Sequence, residues 1–125
     1  HTMYVAALDD RVRATVLSCC MRALKPEIKD AMYCICSYVP GLLAVADWPD
    51  ICALIAPRPV LIQQGIHDYV PMDLVRSGEA TMSGANDLSG APQAIDTDYF
   101  EGGHRFSGRK AFAWMDRWLK KEAGL

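Results

Sequence analysis

No Gly-x-Ser-x-Gly occurs between His1 and Leu125, so no serine elbow of that pattern falls within the chain. Gly-x-Gly-x-x-Gly is missing too, which removes the phosphate cradle of a dinucleotide fold. Neither sign of charge is in excess. Thirteen Lys and Arg against fifteen Asp and Glu give a net charge of −2, which leaves no footprint for nucleic acid or an anionic membrane. No apolar run approaches the roughly 20 residues that cross a bilayer. The five cysteines, Cys19, Cys20, Cys34, Cys36 and Cys52, cannot all pair, and their spacing fits no regular disulfide or zinc framework. Cys34-Ile35-Cys36 is the one suggestive pair, but a four-coordinate zinc needs two more ligands. His1, His67 and His104 form no obvious pair with it. The expectation is reduced thiols acting as small hydrophobes, with no metal and no other cofactor.

What is present suits one core-forming domain: 125 residues, 51% of them hydrophobic and 22% charged. Val12 to Cys20 is β-branched and apolar, as in a parallel strand buried on both faces. Thr2 to Leu8 reads as the tail of a helix. Pro26 and Pro40-Gly41 break residues 21–46 into short pieces, with a helix expected near Glu27 to Ala31 and another near Leu42 to Ala46. Asp47 and Pro49 open a helix that Pro57 stops, and Pro59 starts the next strand, Val60 to Gln63. Pro71 to Met82 predicts a weak helix, interrupted at Gly78 and ended at Gly84, followed by a surface loop from Ser83 to Pro92. Ile95 to Phe100 is a third strand, placed edge-ward by its acids. A last helix, Arg109 to Ala123, sets Phe112, Met115 and Leu119, beside Ala111, Trp114 and Trp118, against a charged face. Strands over 12–19, 59–64 and 94–100 alternating with helices predict an α/β fold, a mostly parallel sheet with helices on both faces.

Two loops stand out. Gly65-Ile66-His67-Asp68-Tyr69-Val70-Pro71 follows the second strand, and Glu101-Gly102-Gly103-His104 follows the third. In open parallel sheets the functional crevice lies beyond the carboxyl ends of the strands. An acid and a histidine in that order, each beside glycines that let backbones approach closely, are candidate catalytic partners: Asp68 and His104. Alone, either residue is better read as a turn former or an exposed loop side chain. His67 reads as exposed, Asp73 as a helix cap and Asp98 as part of a strand.

Asp50 to Ile62, with its Ala56-Pro57-Arg58-Pro59, the loop Gly65 to Pro71, and Phe100 to Phe106 resemble the α/β-hydrolase superfamily. More narrowly they are similar to its dienelactone-hydrolase and acetyl-xylan-esterase-like branch, as is Tyr33 to Leu42. The resemblance implies that residues 1–125 are the C-terminal part of one α/β-hydrolase domain, with the nucleophile half outside them. Asp68 would be the triad acid and His104 the base, in the chain order Ser…Asp…His. The strands would be the sixth to eighth of that fold. The implied activity is serine-type hydrolysis of a small-molecule carboxylic ester. A serine peptidase of the prolyl-oligopeptidase type and a degenerate hydrolase used for binding are the alternatives. The same resemblance leaves oligomerisation open.

Overall fold

The computed structural model describes residues 1–25 and 37–122. In chain order they form α1 (Thr2–Leu8), β1 (Thr15–Ser18), α2 (Trp48–Ala53), β2 (Val60–Gly65), α3 (Met72–Leu88), β3 (Ile95–Phe100) and α4 (Gly108–Glu122). Cys34-Ile35-Cys36 and the helix expected over 27–31 lie outside the described residues. The strands pair in parallel in the order β1-β2-β3, with Leu17 opposite Ile62 and Ile62 opposite Thr97.

Alternation along β2 divides the interior between two faces. Val60 and Ile62, with Leu17 of β1, pack on Met3 and Ala6 of α1, Trp48 and Cys52 of α2, and Val75 and Met82 of α3. Leu61 points the other way, onto Ala111 and Trp114 of α4. The expected α/β layer is therefore present, with helices on both faces of a parallel sheet. Strand β1 is shorter than Val12 to Cys20 and not buried on both faces: Thr15 and Leu17 are buried, Val16 and Ser18 half-buried.

Helix α2 starts where Asp47 and Asp50 cap reciprocally. The Trp48 amide donates to the Asp47 carboxylate at 2.7 Å, and the Asp47 amide donates to Asp50 at 2.8 Å. The Asp47 carboxylate also accepts the Leu24 and Lys25 amides at 2.8 and 2.9 Å, fixing the chain that leaves β1.

Helix α3 corrects the sequence reading. It continues through Gly84 to Leu88, so most of the loop expected from Ser83 is helical. Val75, Gly78, Met82 and Asn86 recur at helical spacing and are all buried. That tertiary burial outweighs two glycines that each cost about 1 kcal/mol against alanine. Gly78 lets the helix sit close to Met21, since a Cβ there would meet the buried Met21 Sδ at 2.5 Å and make that side chain shift. At Gly84, no atom of the described residues lies within 4 Å of where a Cβ would be. Gly84→Ala should therefore raise stability by about 0.5–1 kcal/mol in urea unfolding. Asp73 lies within the first turn of α3 rather than at its N-cap, which Pro71 occupies. Its charge there complements the helix dipole.

Helix α4 also departs in detail. Ala111 and Trp114 are buried, with Met115 and Trp118 half-buried, but Phe112 is 69% and Leu119 44% exposed. The buried stripe follows positions 111, 114, 115 and 118, which leaves 112 and 119 on its flank. Asp98 of β3 is buried beneath this helix. It accepts from Arg109 Nε at 2.9 Å and Gln63 Nε2 at 3.3 Å, and so ties β3 to α4.

Candidate active site

Beyond the carboxyl end of β2 the chain turns at Gly65 directly against the loop that follows β3. The Ile66 amide donates to the Phe100 carbonyl at 3.0 Å, and the His67 amide to the Gly102 carbonyl at 2.9 Å. A Cβ on Gly65 would fall well inside contact distance of the Gly102 and Gly103 carbonyl oxygens. Backbone cannot yield there as a flexible side chain can. We expect Gly65→Ala to cost about 2 kcal/mol and to push the two loops apart. Urea unfolding reads the first effect, and the ring shifts of His104 read the second.

The close approach of the loops brings Asp68 to His104. The imidazole Nδ1 stands 3.0 Å from Asp68 Oδ2 and 3.2 Å from Oδ1. The Asp68 side chain is fully withdrawn from solvent, whereas that of His104 is 51% exposed. Gln64, buried at the end of β2, donates from Nε2 to Asp68 Oδ2 at 2.8 Å. Burial alone would raise the Asp68 pKa. The hydrogen bonds from Gln64 and His104, the charge of His104 and the Cys19 thiol outweigh it, holding the carboxyl below its ordinary value. The ring of Tyr69 stacks on His104 with centroids 4.9 Å apart. One face of the imidazole is thus packed while its carboxylate side is anchored.

Cys19 completes the cluster from a third strand end. It follows β1 directly, with φ at +53°, a left-handed conformation uncommon outside glycine. Its amide donates to the Gln63 carbonyl at 2.8 Å and its thiol to the Arg105 carbonyl at 3.4 Å. The ligand atoms of Cys19, Asp68 and His104 all lie within 4.8 Å of one another. Burial pushes the Cys20 thiol up to about 11, with Cys19 adding to it, and burial with Cys20 raises Cys52 further. Those two are inert thiols.

The other candidates fall outside this cluster. His67 is exposed and bonds Glu101 at 2.5 Å, an outer tie between the two loops. Asp98 is engaged by Arg109 and Gln63. Three contributors escaped the sequence reading: Gln64, Tyr69 and Cys19. The two polar amides, Gln63 and Gln64, that close the apolar run Val60-Leu61-Ile62 were the available signal for Gln64. For Cys19 it was position at a strand's carboxyl end. Stacking by Tyr69 had none beyond its adjacency to Asp68.

No family model and no curated protein matches the chain. Two solved structures share its fold. One is a carbohydrate esterase family 15 glucuronoyl esterase from Caldicellulosiruptor kristjansonii, at 15% identity and a TM-score of 0.70 over 96% of this chain. The other is a protein from Bacteroides fragilis assigned as an acetyl xylan esterase, at 16% identity and a TM-score of 0.66 over 98% of this chain. Both have the α/β-hydrolase fold, which the chain shares over part of their length. It spans 40% of the first structure and 39% of the second.

Proposed function

We propose that residues 1–125 supply the acid and base of a serine-type carboxylic ester hydrolase whose nucleophile lies on a segment outside them. The observation that carries this reading is the buried Asp68 carboxylate held at 3.0 Å from Nδ1 of a half-exposed histidine. With its proton on Nδ1 toward Asp68, His104 keeps the Nε2 lone pair free. That nitrogen takes the proton of an attacking hydroxyl and returns it to the leaving alcohol. It then activates the water that hydrolyses the acyl-enzyme. Asp68 fixes the tautomer and stabilises the imidazolium, and Gln64 holds Asp68 in place.

The outer edge of β1 supports a nucleophile-bearing segment at this point. Among the described residues no strand pairs with that edge. Beside it opens a cleft of about 430 Å³ lined by Tyr4, Val16, Ser18, Cys20 and Trp48, among others. The Tyr4 hydroxyl, Ser18 hydroxyl and Trp48 indole N–H are buried there without hydrogen-bond partners among the described residues. Such groups call for a further strand or loop to satisfy them. The first substrates to assay are short-chain p-nitrophenyl esters, then the acetylated xylan and glucuronoyl esters in the names of the structural neighbours. Ester hydrolysis by a protein carrying both segments, abolished by His104→Ala, is the expected result. Unchanged hydrolysis in that variant would rule the reading out.

A further inference from the structure

We propose that Cys19, Asp68 and His104 form a binding site for a thiophilic divalent cation, Zn²⁺ in the first instance, whose occupancy switches the base off. Binding stands on the cluster itself; the switching rests on the reading of His104 as the base.

The three residues come from the ends of all three strands, and their ligand atoms lie within 4.8 Å of one another. In a tetrahedral zinc site, with bonds of about 2.0 Å to nitrogen and oxygen and 2.3 Å to sulfur, ligand atoms stand roughly 3.3–3.8 Å apart. His104 Nδ1 already stands 3.0 Å from Asp68 Oδ2, and its half-exposed side chain leaves the ring free to shift toward the buried Cys19. One sulfur, one imidazole and one carboxylate suit zinc or cadmium, and they disfavour magnesium and calcium, which require oxygen ligands throughout. A thiolate and a carboxylate against a dication leave no net charge in a poorly solvated place. Three protein ligands leave a fourth position for water.

Protons balance simply. The Cys19 thiol proton, now donated to the Arg105 carbonyl, goes to solvent as the metal–sulfur bond forms. Ligation through Nδ1 expels the proton shared with Asp68, and neutral His104 then carries its hydrogen on Nε2. One proton is released to bulk per metal ion. That tautomer has no lone pair at Nε2, the atom that must accept the hydroxyl proton. Metal binding and base function therefore exclude each other.

The test is a titration of the metal-free chain with Cd²⁺, followed by its ultraviolet thiolate-to-metal charge-transfer band, with Zn²⁺ as competitor. We expect saturation at a single equivalent and loss of the band in Cys19→Ser. His104→Ala, an exposed position with little bearing on folding, should weaken binding by at least about tenfold. A Cys34→Ser/Cys36→Ser double variant should bind as before. Ring nitrogen spectra should show His104 protonated on Nε2 in the zinc form. A band that survives Cys19→Ser, an affinity indifferent to His104→Ala, or a band lost only with Cys34 and Cys36 would overturn the site. If Cys19→Ser fails to fold by circular dichroism, His104→Ala decides. No hydrolysis is measured, so failure here leaves the esterase reading standing, and an inactive parent leaves the metal site standing.

Discussion

In a protein that joins this segment to its nucleophile, His104→Ala should lower turnover of a p-nitrophenyl ester by about 10⁶-fold. That is the loss seen when the base of a serine triad is removed. Asp68→Asn should cost less, about 10⁴-fold, because geometry survives while the imidazole is left in the wrong tautomer. The order of these losses is the informative part. Asp68 acts only through His104, so a double variant should be scarcely worse than His104→Ala alone. KM should move little in either variant, since neither residue binds substrate in the ground state. A His104→Ala enzyme that kept most of its turnover would show that another group serves as base. Equal losses in kcat at Asp98, which Arg109 and Gln63 already engage, would show instead that the effect is one of folding.

The sequence carried the frame of this site better than its lining. Strand positions were readable because Val60-Leu61-Ile62 is continuously apolar and bounded by Pro59 and Gly65, so little else could be built from it. Parallel order followed from the helical segments between the strands, and the two loops followed from their glycines. Helix α3 forms where the sequence predicts one but runs past Gly84 to Leu88: local propensity at Gly78 and Gly84 counts against a helix that tertiary contacts extend. The burial of Val75, Met82 and Asn86 that decides the matter is tertiary. Phe112 and Leu119 were placed inward by counting apolar residues, whereas the sheet covers only the stripe through Ala111 and Trp114. Cys19 is the clearest case. Its meeting with Asp68 and His104 depends on three strand ends coming together, and on a backbone φ of +53° that nothing in Ser18-Cys19-Cys20 announces.

Residues 1–125 by themselves should show no ester turnover. Asp68 and His104 are both in place, so on the proposed reading the deficit would come from a nucleophile and oxyanion donors that another segment supplies. Loss of the nucleophile forfeits about 10⁶ in rate, and loss of one oxyanion donor another 10²–10³ or so. The edge of β1 adds a physical consequence. Val16 and Ser18 border an open cleft, and among the described residues no strand pairs with the outer edge of β1 and the Tyr4 and Ser18 hydroxyls beside it have no partner. Such an edge templates pairing with another chain, so residues 1–125 by themselves should self-associate. Introducing a lysine at Val16 should oppose that association, because a charge on an edge strand discourages pairing. Sedimentation of the segment with and without Val16→Lys, alongside the ester assay, distinguishes the possibilities. A monomeric segment that hydrolysed the ester would place the nucleophile within these residues and defeat the proposal. An inactive segment that associates, and that Val16→Lys disperses, would locate the missing part of the site against β1.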